Sequence, residues 1–160
     1  MVENKKVKNA SPLDYEGIHF KSTSEVMVYK TLLAEGFKPE YETHTYVLWD
    51  GFTPTVPFLT KNKFKRKDYR IKVISSFTVR DDRPLDEITY TPDFYFEYEG
   101  KKIIIEVKDF ENDVFPYKWK MFKKLIEEQE DKDVYRIWEV FTKRQLLDCI
   151  NLLKNENNGN

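Results

Sequence analysis

The segment ITYTPDFYFEYEGKKIIIEVK, residues 88–108, specifies two strands and the turn between them. Residues 88–98 and 102–108 are rich in aromatic and β-branched side chains, which are typical of strands. Because Glu99-Gly100-Lys101 is a short loop containing glycine, the two strands are predicted to form an antiparallel hairpin. The run Ile103-Ile104-Ile105 has no polar alternation, so the second strand is predicted to be central and covered on both faces.

Hydrophobic periodicity on both sides of this hairpin predicts three helices and three further strands. The helices are expected from a cap at Ser22, Thr23 or Ser24 to about residue 35 before Gly36, over about 116–128, and after the cap Thr142. The strands are expected over residues 41–49, 69–80 and 134–141. This order predicts an α/β fold in which a central mixed sheet is flanked by helices.

The length of 160 residues suits one compact domain. We expect a flexible N-terminal arm over residues 1–16, a single domain over 17–154 and a flexible tail over 155–160. Within the domain, residues of about 50–85 are predicted to be an insertion made of an irregular stretch, a basic loop and a strand.

Composition narrows the classes of function. The formal net charge of −1 shows no overall basic excess, although a local basic face can coexist with an acidic site. The single cysteine, Cys149, excludes an internal disulfide, and the polar, lysine-rich start does not resemble a signal peptide. No apolar run approaches the roughly 20 residues of a membrane span. A cytoplasmic protein without a membrane partner is therefore expected.

Three side chains in and around the hairpin carry the candidate chemistry. Asp93 belongs to the first strand, and Glu106 and Lys108 belong to the second. Because side chains two residues apart on a strand point to the same face, Glu106 and Lys108 share a face, and the hairpin brings Asp93 close to them. The alternative without a function is a solvated Glu–Lys–Asp cluster at the end of a strand.

A metal site explains why charged residues follow an apolar strand. Carboxylate oxygens are ligands that Mg²⁺ or Mn²⁺ prefers, so Asp93 and Glu106 are candidate ligands, with the backbone carbonyl of Val107 as a third. A metal held there polarises a phosphoryl oxygen and acidifies water. Lys108 is expected to orient the attacking water or to stabilise charge on the phosphate.

The spacing of these residues resembles a known pattern. Pro92-Asp93, followed by twelve residues and then Glu106-Val107-Lys108, is similar to the motif of the PD-(D/E)xK nuclease superfamily. The resemblance implies a restriction-endonuclease-like core, metal ligation by Asp93 and Glu106, and a water-assisting role for Lys108. Many members also carry a glutamate on the first helix, which makes Glu25 a fourth catalytic and metal-ligating candidate. Otherwise, Glu25 is a first-turn acid favoured by the helix dipole.

By size and by its Phe20-to-Glu25 segment, the chain resembles small phage endonucleases and Holliday-junction resolvase-like nucleases most closely. This implies Mg²⁺- or Mn²⁺-dependent, structure-selective cleavage of DNA, including branched DNA, in the cytoplasm of a bacterial host. A junction resolvase is expected to be a homodimer, because it cuts two strands at related positions. The alternative from another class is a non-catalytic DNA-binding or assembly module on the same fold.

Two groups of basic residues are candidates for DNA binding. Lysines on the helix after the second strand are expected near the scissile phosphate, and the basic loop is expected to neutralise phosphates while Phe64 stacks on a base. These candidates are Lys61, Lys63, Lys65, Arg66, Lys67, Lys118 and Lys120. The alternative for both groups is a solvated surface.

Overall fold

The computed structural model describes residues 13–64, 70–109 and 114–156, and within them it has a mixed α/β architecture. The helices are α1 (Thr23–Ala34), α2 (Phe115–Glu127) and α3 (Lys143–Glu156), with a 3₁₀ turn at Lys132–Val134. The strands are β1 (Leu13–Tyr15), β2 (Ile18–Phe20), β3 (Glu40–Tyr41), β4 (Tyr46–Trp49), β5 (Leu59–Lys61), β6 (Ile71–Val73), β7 (Thr78–Asp81), β8 (Ile88–Tyr90), β9 (Phe94–Tyr98), β10 (Lys101–Val107) and β11 (Tyr135–Val140).

The predicted hairpin is confirmed as β9 and β10. The two strands pair antiparallel with Phe94 opposite Ile105, and the turn residues Glu99 and Gly100 both have positive φ angles, 46° and 76°. Such angles match the right-handed twist of a tight hairpin. Strand β10 is central in a four-stranded sheet of order β11-β10-β9-β3, in which β10 and β11 are parallel. The central position explains why Ile103 to Ile105 are fully buried.

The two faces of this sheet are covered by different helices. Ile103 and Ile105 belong to a buried cluster with side chains of α1 and α3, such as Leu32 and Ile150. Ile104, which alternates with them, points to the other face and is also fully buried. Helix α2 buries four side chains that are not part of that cluster, which places α2 on the face of Ile104. These side chains are Phe115, Trp119, Phe122 and Ile126.

The helix limits agree with the sequence signals. The hydroxyl of Ser22 accepts a hydrogen bond from the amide of Glu25, and Gly36 follows the end of α1 with φ of 89°. The hydroxyl of Thr142 accepts from the amide of Gln145 in the same way at the start of α3. The predicted caps at both helices are therefore confirmed.

Three predicted strands are broken in the structure. The segment 41–49 divides into β3 and β4, and 88–98 divides into β8 and β9, because β3 pairs with β9 whereas β4 pairs with β8. Pro92 lies at the second break, where its missing N–H cannot join a ladder. The segment predicted as a strand over 69–80 instead contains β6, a turn and β7, because the hydroxyl of Ser75 accepts from the amides of Phe77 and Thr78.

Both expected flexible ends are partly ordered. The arm predicted over 1–16 is wrong for residues 13–16, because β1 pairs with β2 through a turn at Gly17, and Tyr15 packs edge-on against Tyr29. Residues 155 and 156, predicted to belong to the flexible tail, lie in α3, and the carboxylate of Glu156 binds Arg136 at 2.7 Å. Residues 1–12 and 157–160 lie outside the described part of the chain.

The chain divides into two compact units. One combines the residues up to Tyr46 with those from Thr91 onwards, and the other is Val47–Tyr90. The second unit contains a three-stranded antiparallel sheet of order β5-β7-β6 and a bridge between Phe52 and Leu85. It corresponds to the segment that the sequence marks as an insertion, with boundaries a few residues wider.

Candidate functional site

Asp93 is held between two strands at the start of β9. Its backbone carbonyl accepts a hydrogen bond from the amide of Glu42 at 2.9 Å, just after β3. Its side-chain Oδ2 accepts from the amide of Val107 at 2.6 Å, at the end of β10. Asp93 lies one residue before β9 and not, as the sequence predicted, within the strand. Its hydrogen bond to Val107 still directs the carboxylate towards β10.

Glu106 and Lys108 form a buried ion pair at the same end of the sheet. The Nζ of Lys108 lies 2.6 Å from Oε1 of Glu106, and the two side chains are only 11% and 8% exposed. Lys108 follows the last residue of β10, and its amide donates to the carbonyl of Val140 on β11. The ammonium also lies 3.4 Å from the centre of the Phe115 ring on α2. This cation–π contact holds Lys108 at the α2 side of the sheet.

We call Asp93, Glu106 and Lys108 the acid–lysine cluster, because their charges interact. The pKa of Asp93 is raised well above its ordinary value, first by burial and then by the negative charge of Glu106. The amide of Val107 and the ammonium of Lys108 act in the opposite direction, and Glu25 adds a smaller rise. The cluster thus holds more negative charge than one lysine offsets.

Glu25 lies at the start of α1 and takes part in the electrostatics of Asp93. Its side chain is buried, and its Oε2 accepts from the backbone amide of Lys21 at 2.8 Å and from the Tyr41 hydroxyl at 2.7 Å. Burial and the bond to Glu25 raise the pKa of Tyr41, which keeps that hydroxyl protonated as a donor. Glu25 is therefore a positioned carboxylate and not merely an exposed first-turn acid.

The metal-ligating groups of the site are few. Among the described residues, no group of three or more His, Cys, Asp and Glu side chains is arranged to hold a metal. The acid–lysine cluster provides two carboxylates, and Mg²⁺ keeps several waters and is usually bound through one or two carboxylates. The number of carboxylates in the cluster is therefore compatible with a hydrated hard dication and too small for a closed four-ligand site such as that of structural zinc. The predicted role of the Val107 carbonyl as a further ligand stays a prediction.

The basic candidates are distributed over both units. Lys118 and Lys120 lie in the first turns of α2, with Lys118 half-buried and Lys120 exposed. In the unit Val47–Tyr90, Lys61 ends β5, and Lys63 follows it in an exposed position. The remaining candidates Lys65, Arg66 and Lys67 lie outside the described residues. Phe64 packs against the guanidinium of Arg83 at 3.9 Å, and its expected stacking on a base stays a prediction.

Several residues that support the site were not identified from the sequence. Tyr41 and Lys21 hold Glu25, and Phe115 holds Lys108. Asp109 accepts a hydrogen bond from the Ser24 hydroxyl at 2.5 Å and so joins the end of β10 to the start of α1. Asp109 directly follows Lys108 in the sequence, and this position could have indicated that Asp109 lies near the site. No local pattern marks Tyr41, because its role depends on the pairing of β3 with β9.

Comparison with protein-family models, curated proteins and solved structures found no match to this chain. Within the described residues, no helix combines the length and the apolar character needed to cross a membrane.

Proposed function

We propose that the chain is a metal-dependent endodeoxyribonuclease of the PD-(D/E)xK type. The observation that carries the proposal is the acid–lysine cluster, in which two carboxylates and a buried ammonium meet where β9 and β10 come together. A lysine bound to one of two neighbouring acids, beside a third acid on a separate helix, is uncommon in a purely structural core, because burying charge costs free energy.

The architecture around the cluster supports the same proposal. A mixed sheet with α1 and α3 on one face and α2 on the other is what a restriction-endonuclease-like core is expected to have. The positions of Glu25 on α1, of Asp93 just before β9, of Glu106 on β10 and of Lys108 just after it are consistent with the order that the resemblance to this superfamily implies. We infer that the unit Val47–Tyr90 is an insertion into that core.

Each side chain of the site has a distinct task in the proposed reaction. Mg²⁺ or Mn²⁺, when bound, polarises a phosphoryl oxygen and acidifies a water molecule. Asp93 and Glu106 would hold the ion, and the amide of Val107 keeps the Asp93 carboxylate in one orientation. The Lys108 ammonium donates to the attacking water or to a phosphate oxygen, and Phe115 restricts its movement. Glu25, held by Tyr41, adds a carboxylate from the α1 side.

Within this class, we propose a structure-selective enzyme similar to small phage endonucleases and Holliday-junction resolvases. Its substrate is DNA, including branched DNA, and a junction-cleaving enzyme would act as a homodimer. Selectivity for DNA structure requires contacts mainly to phosphates. Lysine and arginine side chains suit such contacts, and no base-reading helix is needed.

The direct test is cleavage of linear, flapped and four-way-junction DNA with Mg²⁺, with Mn²⁺ and with chelator. We expect metal-dependent products from the native chain, and a loss of at least about 100-fold for Asp93→Asn, Glu106→Gln and Lys108→Met. The exposed residues Asp148 and Lys143 provide matched controls as Asp148→Asn and Lys143→Met. Native cleavage rates in the three cluster variants, with circular dichroism showing intact folds, would remove the proposal.

A metal titration separates this proposal from a non-catalytic module on the same fold. Calorimetry with Mn²⁺ should give a binding heat in the native chain that disappears in Asp93→Asn and persists in Asp148→Asn. A non-catalytic DNA-binding or assembly module predicts DNA binding without cleavage and no heat that depends on Asp93.

A further inference from the structure

Positive charge is concentrated in the second unit although the whole chain has a formal charge of −1. Between residues 59 and 74 the sequence has seven lysines and arginines and one acid, Asp68. Part of this stretch belongs to the described sheet β5-β7-β6. A local excess of this kind predicts a polyanionic partner.

The register of the sheet gathers basic side chains from all three strands on one face. Lys72 of β6 lies directly opposite Arg80 of β7, and Arg80 lies opposite Leu59 of β5. Lys61, two residues after Leu59, therefore points to the same side. We call Lys61, Lys72 and Arg80 the basic face. Lys61 and Lys72 are exposed, and Arg80 is oriented by its hydrogen bond to Asp82 at 2.7 Å.

Among the described residues of the sheet, no acid lies directly across the strands from Lys72 or Arg80, although Arg80 forms an ion pair with Asp82 two residues along its own chain segment. Like charges directly across a strand pair destabilise a sheet. Asp82 offsets part of this positive charge, and a phosphate group that contacts both Lys72 and Arg80 would offset more of it. The guanidinium of Arg80 has five N–H donors, so its contact with Asp82 leaves donors for a second acceptor.

The turn between β6 and β7 also presents an exposed aromatic side chain in this unit. Phe77 is 79% exposed, more than any other large apolar side chain among the described residues, and Ile74 is 55% exposed. Hydrogen bonds hold the turn in shape: Ser75 Oγ accepts from the amides of Phe77 and Thr78, and the carbonyl of Phe77 accepts from the amide of Asn62. Because the Phe77 ring stays in contact with water, it adds no burial energy to the stability of the folded chain.

We propose that the β5-β7-β6 sheet binds nucleic acid with unpaired bases, with the basic face contacting phosphates and Phe77 stacking on a base. Positively charged surfaces with exposed aromatics are how proteins hold single strands, because every base offers a ring face. This binding goes beyond the proposed cleavage and does not require it. The charge of the surface favours nucleic acid over a second copy of the chain, whose net charge is near zero.

The test is fluorescence anisotropy with labelled single-stranded and duplex DNA in chelator, where no cleavage is expected. We expect tighter binding of the single strand, and about 5- to 100-fold weaker binding of it by Phe77→Ser. Phe77→Trp, which keeps a stacking ring, should bind as the native chain does. Val56→Ser is the matched control, since Val56 is 75% exposed in the same unit.

Charge reversal tests the basic face separately. Lys61→Glu/Lys72→Glu should lower the slope of log affinity against log salt concentration by about 1.4 for a single strand. Lys38→Glu/Lys143→Glu, which reverses two exposed lysines of the other unit, should lower it less. Equal affinities for Phe77→Ser and Val56→Ser, together with equal slopes for the two charge reversals, would overturn the proposal. A Phe77→Ser effect confined to self-association in sedimentation would overturn it as well.

Because these measurements involve no metal, their outcome is independent of the cleavage assay. If the Phe77 and basic-face variants lose binding but the native chain shows no nuclease activity, the proposed reaction is refuted and the binding surface still stands. Cleavage that depends on Asp93, together with unchanged single-strand affinity for Phe77→Ser and an unchanged salt slope for the basic-face reversal, would support the reaction and overturn the binding surface.

Discussion

Replacing Lys108 by methionine tests whether its ammonium offsets the acids of the cluster. Methionine keeps most of the length and apolar stem of lysine, so the substitution removes mainly the charge and, with it, the cation–π contact with Phe115. It also leaves Glu106, 8% exposed, beside Asp93, whose pKa is already raised by burial and by Glu106. The folded state then holds two neighbouring carboxylates without their cation.

The expected cost follows from the burial of the pair. Removing one partner of a buried ion pair costs about 3–5 kcal/mol, because the other charge is left uncompensated. For a domain of this size, each kcal/mol lowers the melting temperature by about 2–4 °C, so Lys108→Met should melt about 10 °C below the native chain. The penalty should shrink at acid pH, since a protonated carboxyl needs no counter-ion.

Differential scanning calorimetry at neutral and acid pH measures this effect. Lys124→Met is the matched control, because the Lys124–Glu128 pair has the same 2.6 Å separation but exposed side chains, and it should melt with the native chain. Glu106→Gln/Lys108→Met should regain most of the lost stability, because it removes both charges. A Lys108→Met variant that melts within 2 °C of the native chain at neutral pH, well inside the estimated loss, would refute the reasoning.

Two further predictions concern the carboxylates. Asp93→Asn should stabilise the metal-free fold increasingly as pH rises from the ordinary carboxyl value of 3.8 towards neutral. The reason is that a raised pKa makes the folded chain hold its proton more tightly than the unfolded chain does, so the native carboxyl costs nothing at low pH and lowers stability as soon as the unfolded carboxyl ionises while the folded one stays protonated. Urea unfolding across this range measures it, and parallel curves for variant and native chains would contradict it. Tyr41→Phe removes a donor to the Glu25 carboxylate and should lower the unfolding free energy by about 1.5–3 kcal/mol. Tyr46→Phe is the control, and equal unfolding midpoints in urea for the two variants would count against the role given to Tyr41.

The sequence alone was sufficient for features that depend on near neighbours. The β9–β10 hairpin follows from residues within one turn of each other, and the α1 cap follows from Ser22 and the amide of Glu25. The common face of Glu106 and Lys108 follows from the two-residue period of a strand. Such features need no knowledge of the remaining chain.

The tertiary structure decided which strands pair and hence where they end. The segments 41–49 and 88–98 look continuous in sequence, yet each breaks where its partner changes. The same long-range pairing brings Tyr41 to Glu25 and Glu42 to the carbonyl of Asp93, whereas the contact of Asp93 with Val107 follows from the hairpin. The contacts of Tyr41 and Glu42 have no local signature, because both join residues far apart in the chain.

The electrostatic state of the site also required the folded chain. The sequence supplies Asp93, Glu106 and Lys108, but the direction in which the pKa of Asp93 moves depends on burial and on the distance to each neighbouring charge. The separate compactness of Val47–Tyr90 and the outward Phe77 depend likewise on which backbone groups find partners. Local sequence therefore determines which chemical groups are present and their periodicity, whereas strand pairing and desolvation determine how those groups interact.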